Sequence, residues 1–100
     1  MTERVTGSVV VAHAVGLHAR PSVKFTKLAK GFAARIEIAA DAAGPWIDAK
    51  SIVKVMAMKV PQNATLHIRA GGPDAARAVA GLIALVEADF EEVPLHVSGT

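Results

Sequence analysis

There is no cysteine anywhere in the 100 residues. That absence excludes disulfide scaffolds, thiolate-held zinc, iron–sulfur clusters and thiol nucleophiles together. Aromatic residues are scarce as well, with one Trp, three Phe and no Tyr. Nor is there a long apolar run near the N-terminus. The best candidate, residues 8–15, is flanked or interrupted by Gly7, Ser8, His13 and Gly16, so neither a signal peptide nor a membrane span is expected, and a cytoplasmic location follows. What the chain does have is apolar content, 52% of its residues, which at this length gives one compact domain with a real core.

Acidic residues are missing from one long stretch. Between residues 4 and 36 there is no Asp or Glu, while Arg4, Arg20, Lys24, Lys27, Lys30 and Arg35 contribute six positive charges. The net charge of the whole chain is only +2, so the remainder is negative by four. A fold that gathers the cationic stretch on one side attracts an anionic partner, whether a phosphate-bearing ligand, an acidic protein or a nucleic acid.

Apolar periodicity divides the chain into seven elements. A Val-rich strand is centred on residues 8–12, bounded by Gly7 and Gly16. From Pro21 the spacing changes to that of an amphipathic helix, with Phe25, Leu28, Ala29 and Phe32 on one face and Gly31 at its end. Residues 35–39 alternate as a strand, and a turn over 41–44 leads to a short strand at 45–48. Ser51 is a good N-cap for a helix over 52–58, which Val60-Pro61-Gln62-Asn63 breaks. Residues 65–69 alternate again, and Gly71-Gly72-Pro73-Asp74 opens a last helix in which Ala75, Val79, Leu82, Ile83, Val86 and Phe90 share one side. The order β-α-β-β-α-β-α predicts an open-faced sandwich: a four-stranded antiparallel sheet covered on one face by three helices. The domain is expected to span residues 1–90, with 91–100 as a C-terminal extension.

The segment Gly16-Leu17-His18-Ala19-Arg20-Pro21 stands out, because it feeds a helix without any capping side chain. Pro21 suits the first helical position. The residues before it lack the short oxygen-bearing side chain that normally accepts the orphan N–H groups, and Lys24 occupies the first turn where a carboxylate is preferred. Poor helix design is here sensible anion-site design, since bare N–H groups, the positive end of the helix dipole and cationic side chains converge near His18. A histidine ahead of a helix is ordinarily a solvent-facing loop residue. Its neutral imidazole is nevertheless a nucleophile near pH 7, and a phosphoryl adduct would find N–H donors and Arg20 close by.

This hexapeptide resembles the active-site signature of HPr, the histidine-containing phosphocarrier family of the bacterial phosphoenolpyruvate-dependent phosphotransferase system. Phe25, Ala29, Lys30, Gly31 and Phe32 resemble that family's first helix, Ala49-Lys50-Ser51-Ile52 the start of its second, and Gly72 the approach to its last. The resemblance runs from about Arg4 to Phe90 and implies the same open-faced sandwich. It implies that His18 accepts a phosphoryl group on Nδ1 from enzyme I and passes it to sugar-specific IIA domains. Arg20 would stabilise the charge, with the backbone of Ala19, Arg20 and Ser22 binding the phosphate. No cofactor and no metal are implied in the carrier, and a monomer is expected.

Ser51 matches the serine that a dedicated HPr kinase/phosphorylase modifies in some bacteria. Lys24, Lys27, Ile52, Val53 and Lys54 would form the partner interface, an apolar centre with a cationic rim; Ile52 and Val53 are its expected exposed members, and Met56 and Met58 are expected to pack inside. His13, His67 and His96 are expected at the surface and Trp46 in hairpin packing. Two departures from the family pattern are Lys59, where a glycine usually ends the second helix, and Ser22, which replaces a common alanine with little expected consequence. A regulatory paralogue serving nitrogen-related signalling has the same histidine chemistry. A small RNA-binding module would use the basic stretch, but Phe25 and Phe32 belong to the core face and there is no GXXG clamp, so no nucleic acid partner is expected.

Overall fold

The computed structural model describes residues 4–13, 16–17 and 19–90. His18, the intervening residues 14 and 15, and the extension 91–100 with His96 lie outside the described residues.

Seven elements follow in the expected order: β1 (Arg4–Val10), α1 (Ala19–Lys30), β2 (Arg35–Ala39), β3 (Ile47–Asp48), α2 (Ile52–Ala57), β4 (Thr65–Gly71) and α3 (Ala75–Glu87). The strands form one antiparallel sheet in the order β1-β4-β2-β3. Alternation decides its faces. Leu66, Ile68 and Ala70 of β4 are buried, as are Ile36 and Ile38 of β2, while Thr6, Ser8 and Val10 of β1 point to the bare side. Phe25 of α1 and Leu82 and Val86 of α3 complete the core over the covered face. Each fully buried side chain of this size contributes about 1.5–3 kcal/mol.

Several boundaries differ from those read in the sequence. β1 runs over residues 4–10 and not 8–12, because Gly7 is a site of close packing within the strand and not its border: a Cβ there would lie 2.8 Å from Ile83 Cδ1 and 3.0 Å from Val79 Cγ1 of α3. Val11 continues the path outside the ladder, its N–H donating to Ala64 O (2.9 Å) and its carbonyl accepting from Asn63 N (2.6 Å). β3 is confined to Ile47–Asp48, after the peptide bond Gly44–Pro45, which is cis, since Pro45 has no N–H for a ladder. β4 extends through Gly71, pairing with Arg4 on one side and Arg35 on the other.

Two charged side chains secure the turn between α1 and β2. Asp74 precedes α3 in the left-handed conformation (φ 53°) and does not cap its own helix. Its carboxylate instead accepts from Ala33 N (3.2 Å) and Ala34 N (3.0 Å). Lys50 Nζ donates to Phe32 O (2.7 Å). On the bare face, Arg69 Nε donates to Glu37 Oε1 (2.8 Å) and its guanidinium lies 4.1 Å from the centre of the Trp46 ring. Trp46 thus packs as a cation–π partner beside the hairpin.

Candidate functional site

Helix α1 begins at Ala19, two residues before the position read from Pro21. A proline in the third helical position costs nothing, because the N–H groups of a first turn have no partner within the helix. Lys24 consequently belongs to the second turn. No acidic residue occupies the first turn. Ala19 and Arg20 are exposed, so the positive end of the helix is open at these residues.

The loop leading to this end is fixed at Gly16 and Leu17. Gly16 adopts φ 64°, and a Cβ on it would overlap the carbonyl oxygen of Val60 and approach Pro61 Cα to 2.9 Å. Its N–H donates to His13 O (2.8 Å) and that of Leu17 to Val60 O (2.9 Å). The Leu17 side chain is buried in the core. Ser22, fully buried, donates its hydroxyl to Leu17 O (3.0 Å). That corrects the expectation that serine in place of alanine has little consequence here: the buried hydroxyl has a definite partner that alanine would not supply.

Lys24 also differs from its expected place on a free cationic rim. It is half-buried, and its ammonium donates to Phe90 O (2.9 Å), just beyond the C-terminal end of α3. A cation at a helix C-terminus interacts favourably with the dipole, so part of this charge serves the fold. Phe90 also meets His13, ring centres 5.7 Å apart at 76°. His13 and His67 are half-buried, His67 on the bare face of the sheet with Arg69.

Helices α1 and α2 pack together. Ser51 caps α2, its Oγ accepting from Lys54 N (3.3 Å). Val53 is 73% exposed, and Val23 of α1 and Met56 of α2 are exposed too. Lys27 and Lys54 are exposed. Ile52 and Met58 are half-buried, so the apolar surface consists of Val23, Val53 and Met56, with Met56 outside and Ile52 partly withdrawn, contrary to expectation. A six-residue helix cannot bury every apolar position on one partner face. Lys59 takes the left-handed conformation (φ 52°) that a glycine would adopt more readily, so the turn after α2 is formed without one. Val60, Asp74 and Phe90 are not legible in the sequence as supports, since each bonds across a long sequence separation.

Among the described residues, no helix is long and apolar enough to cross a membrane. The described fold is a four-stranded antiparallel sheet with one bare face, and the start of α1 is exposed with no acidic residue in its first turn, an arrangement suited to an anion. The family model for the PTS HPr component phosphorylation site matches residues 5–88. The chain is 35% identical over 82 residues to phosphocarrier protein HPr of Cupriavidus necator, which covers 82% of this chain and 90% of that protein. It is 30% identical over 88 residues to phosphocarrier protein NPr of Escherichia coli K12, covering 88% and 97% respectively. The crystal structure of HPr-C-His from Thermoanaerobacter tengcongensis superposes with a TM-score of 0.80 at 30% identity, over 89% of this chain and 99% of that one. The chain belongs to the HPr family.

Proposed function

We propose that this phosphocarrier works in the cytoplasm as a monomer, through His18. The imidazole Nδ1 attacks the phosphorus carried by enzyme I; the new N–P bond forms as the donor's bond to phosphorus breaks, and the reverse exchange delivers the group to a IIA domain. The supporting observation is the open start of α1: exposed Ala19 and Arg20, no acidic first turn, and Leu17 anchored immediately before His18. Backbone N–H groups of Ala19 and Arg20 and the Arg20 guanidinium stabilise the charge on the phosphoryl group.

Val23, Val53 and Met56, with Lys27 and Lys54 around them, give partners an apolar centre and a cationic rim. Ser51 is the site for an HPr kinase/phosphorylase. A phosphate there is compatible with the start of α2 but places negative charge where acidic partners dock.

The test is intact mass after incubation with phosphoenolpyruvate and enzyme I. One added, acid-labile phosphoryl group is expected, lost in His18→Ala and slowed about tenfold or more in transfer by Arg20→Ala. A stable adduct on another residue overturns the reading. Because NPr is among the relatives, enzyme I from the sugar and nitrogen branches should be compared, with faster transfer expected from the sugar branch.

A further inference from the structure

Leu17 O is a buried-side acceptor at the mouth of α1. In a helix entered two residues earlier, the donor to this carbonyl would be the N–H of residue 21, four positions on, but residue 21 is proline and has none. The oxygen instead receives the hydroxyl of Ser22, one residue further, at 3.0 Å, from a side chain with no solvent exposure. Leu17 is thereby held at three points: its N–H on Val60 O, its side chain in the core, and its carbonyl on Ser22. Its carbonyl carbon is bonded directly to the nitrogen of His18.

We infer that Ser22 is a positioning residue for the phosphoryl acceptor, its hydroxyl replacing the backbone donor that Pro21 removes and setting the peptide from which His18 departs. The inference rests on His18 as the acceptor. Ser22 touches neither phosphoryl group nor partner; it acts through Leu17. Thr26, one turn further along the same helix, provides the matched comparison, since its side-chain oxygen is buried and has no hydrogen-bond partner among the described residues.

The experiment measures two quantities in the full chain: the rate of phosphoryl transfer from enzyme I and the titration of the His18 imidazole by nitrogen–proton NMR, with the other three histidines as internal standards. Ser22→Ala should slow transfer about fivefold, the size of one lost hydrogen bond, and displace the His18 titration curve. Ser22→Thr, which keeps the hydroxyl, should restore most of both, and Thr26→Val should change neither. Should Ser22→Ala fail to fold, Ser22→Cys keeps the volume with only a weak donor and is read in its place. Wild-type transfer and an unmoved His18 titration in Ser22→Ala or Ser22→Cys overturn the assignment, as does an equal effect of Thr26→Val. If the wild-type protein accepts no phosphoryl group, the proposed function fails, and the titration arm alone decides the role of Ser22.

Discussion

Gly16→Ala tests how firmly the site loop is docked. Three costs arise together. An L-residue at φ 64° loses about 1 kcal/mol relative to glycine. The new Cβ meets the Val60 carbonyl and the Pro61 backbone, neither of which can rotate aside, at a cost of roughly 1–3 kcal/mol. Pushing the loop outward also stretches the Leu17 N–H bond to Val60 O, about another 1 kcal/mol. The total is about 3–5 kcal/mol, read by urea unfolding at equilibrium. Two further variants separate the contributions. Gly72→Ala, at φ 97° with nothing within 4 Å of the added carbon, isolates the backbone cost at about 1–2 kcal/mol. Gly7→Ala meets only side-chain atoms of Ile83 and Val79 and should cost no more than about 1 kcal/mol. If Gly16→Ala costs no more than Gly72→Ala, the steric reasoning is wrong and the loop is not pinned at Val60. Transfer from enzyme I should fall in Gly16→Ala and stay unchanged in Gly72→Ala.

Asp74→Ala removes the acceptor for Ala33 N and Ala34 N and should destabilise by about 1–2 kcal/mol, measured by urea unfolding, with Asp74→Asn retaining part of the loss because it tolerates the left-handed backbone. Arg69→Lys exchanges a stacked guanidinium for an ammonium over the only tryptophan; stability should change by less than about 1 kcal/mol while Trp46 fluorescence shifts, and an unchanged spectrum would contradict the stacking. Lys24→Met should lower the melting temperature through the lost bond to Phe90 O by an amount equivalent to about 1 kcal/mol, and phosphoryl transfer should survive; abolished transfer at full stability would return Lys24 to the site.

Periodicity made the fold legible where elements are regular. Ile36 and Ile38 alternate with charged neighbours, and α3 repeats its apolar residues on a helical period, so order and sheet type followed from local pattern. Boundaries failed where one residue type has two uses. Gly7 was read as punctuation but serves close packing, and Pro21 was read as a first helical residue although a first turn tolerates proline at its third position as well. The candidate site was marked in the sequence by a mismatch between capping rules and the residues before α1, and the exposed start of that helix has no acidic first turn. The supports of the site were not so marked: Ser22 with Leu17, Lys24 with Phe90 and Asp74 with Ala33 and Ala34 join positions that only the folded chain brings together.

The strand order β1-β4-β2-β3 carries a consequence for synthesis on the ribosome. The hexapeptide of the site emerges within the first 21 residues, yet β1 has no ladder partner until β4 has been made, and the loop has no seat until Val60 arrives. A nascent chain interrupted before residue 65 therefore carries the hexapeptide while β1 and β2 still lack the strand that pairs with both. The sheet closes around its central strand only when that strand, late in the sequence, is inserted between β1 and β2.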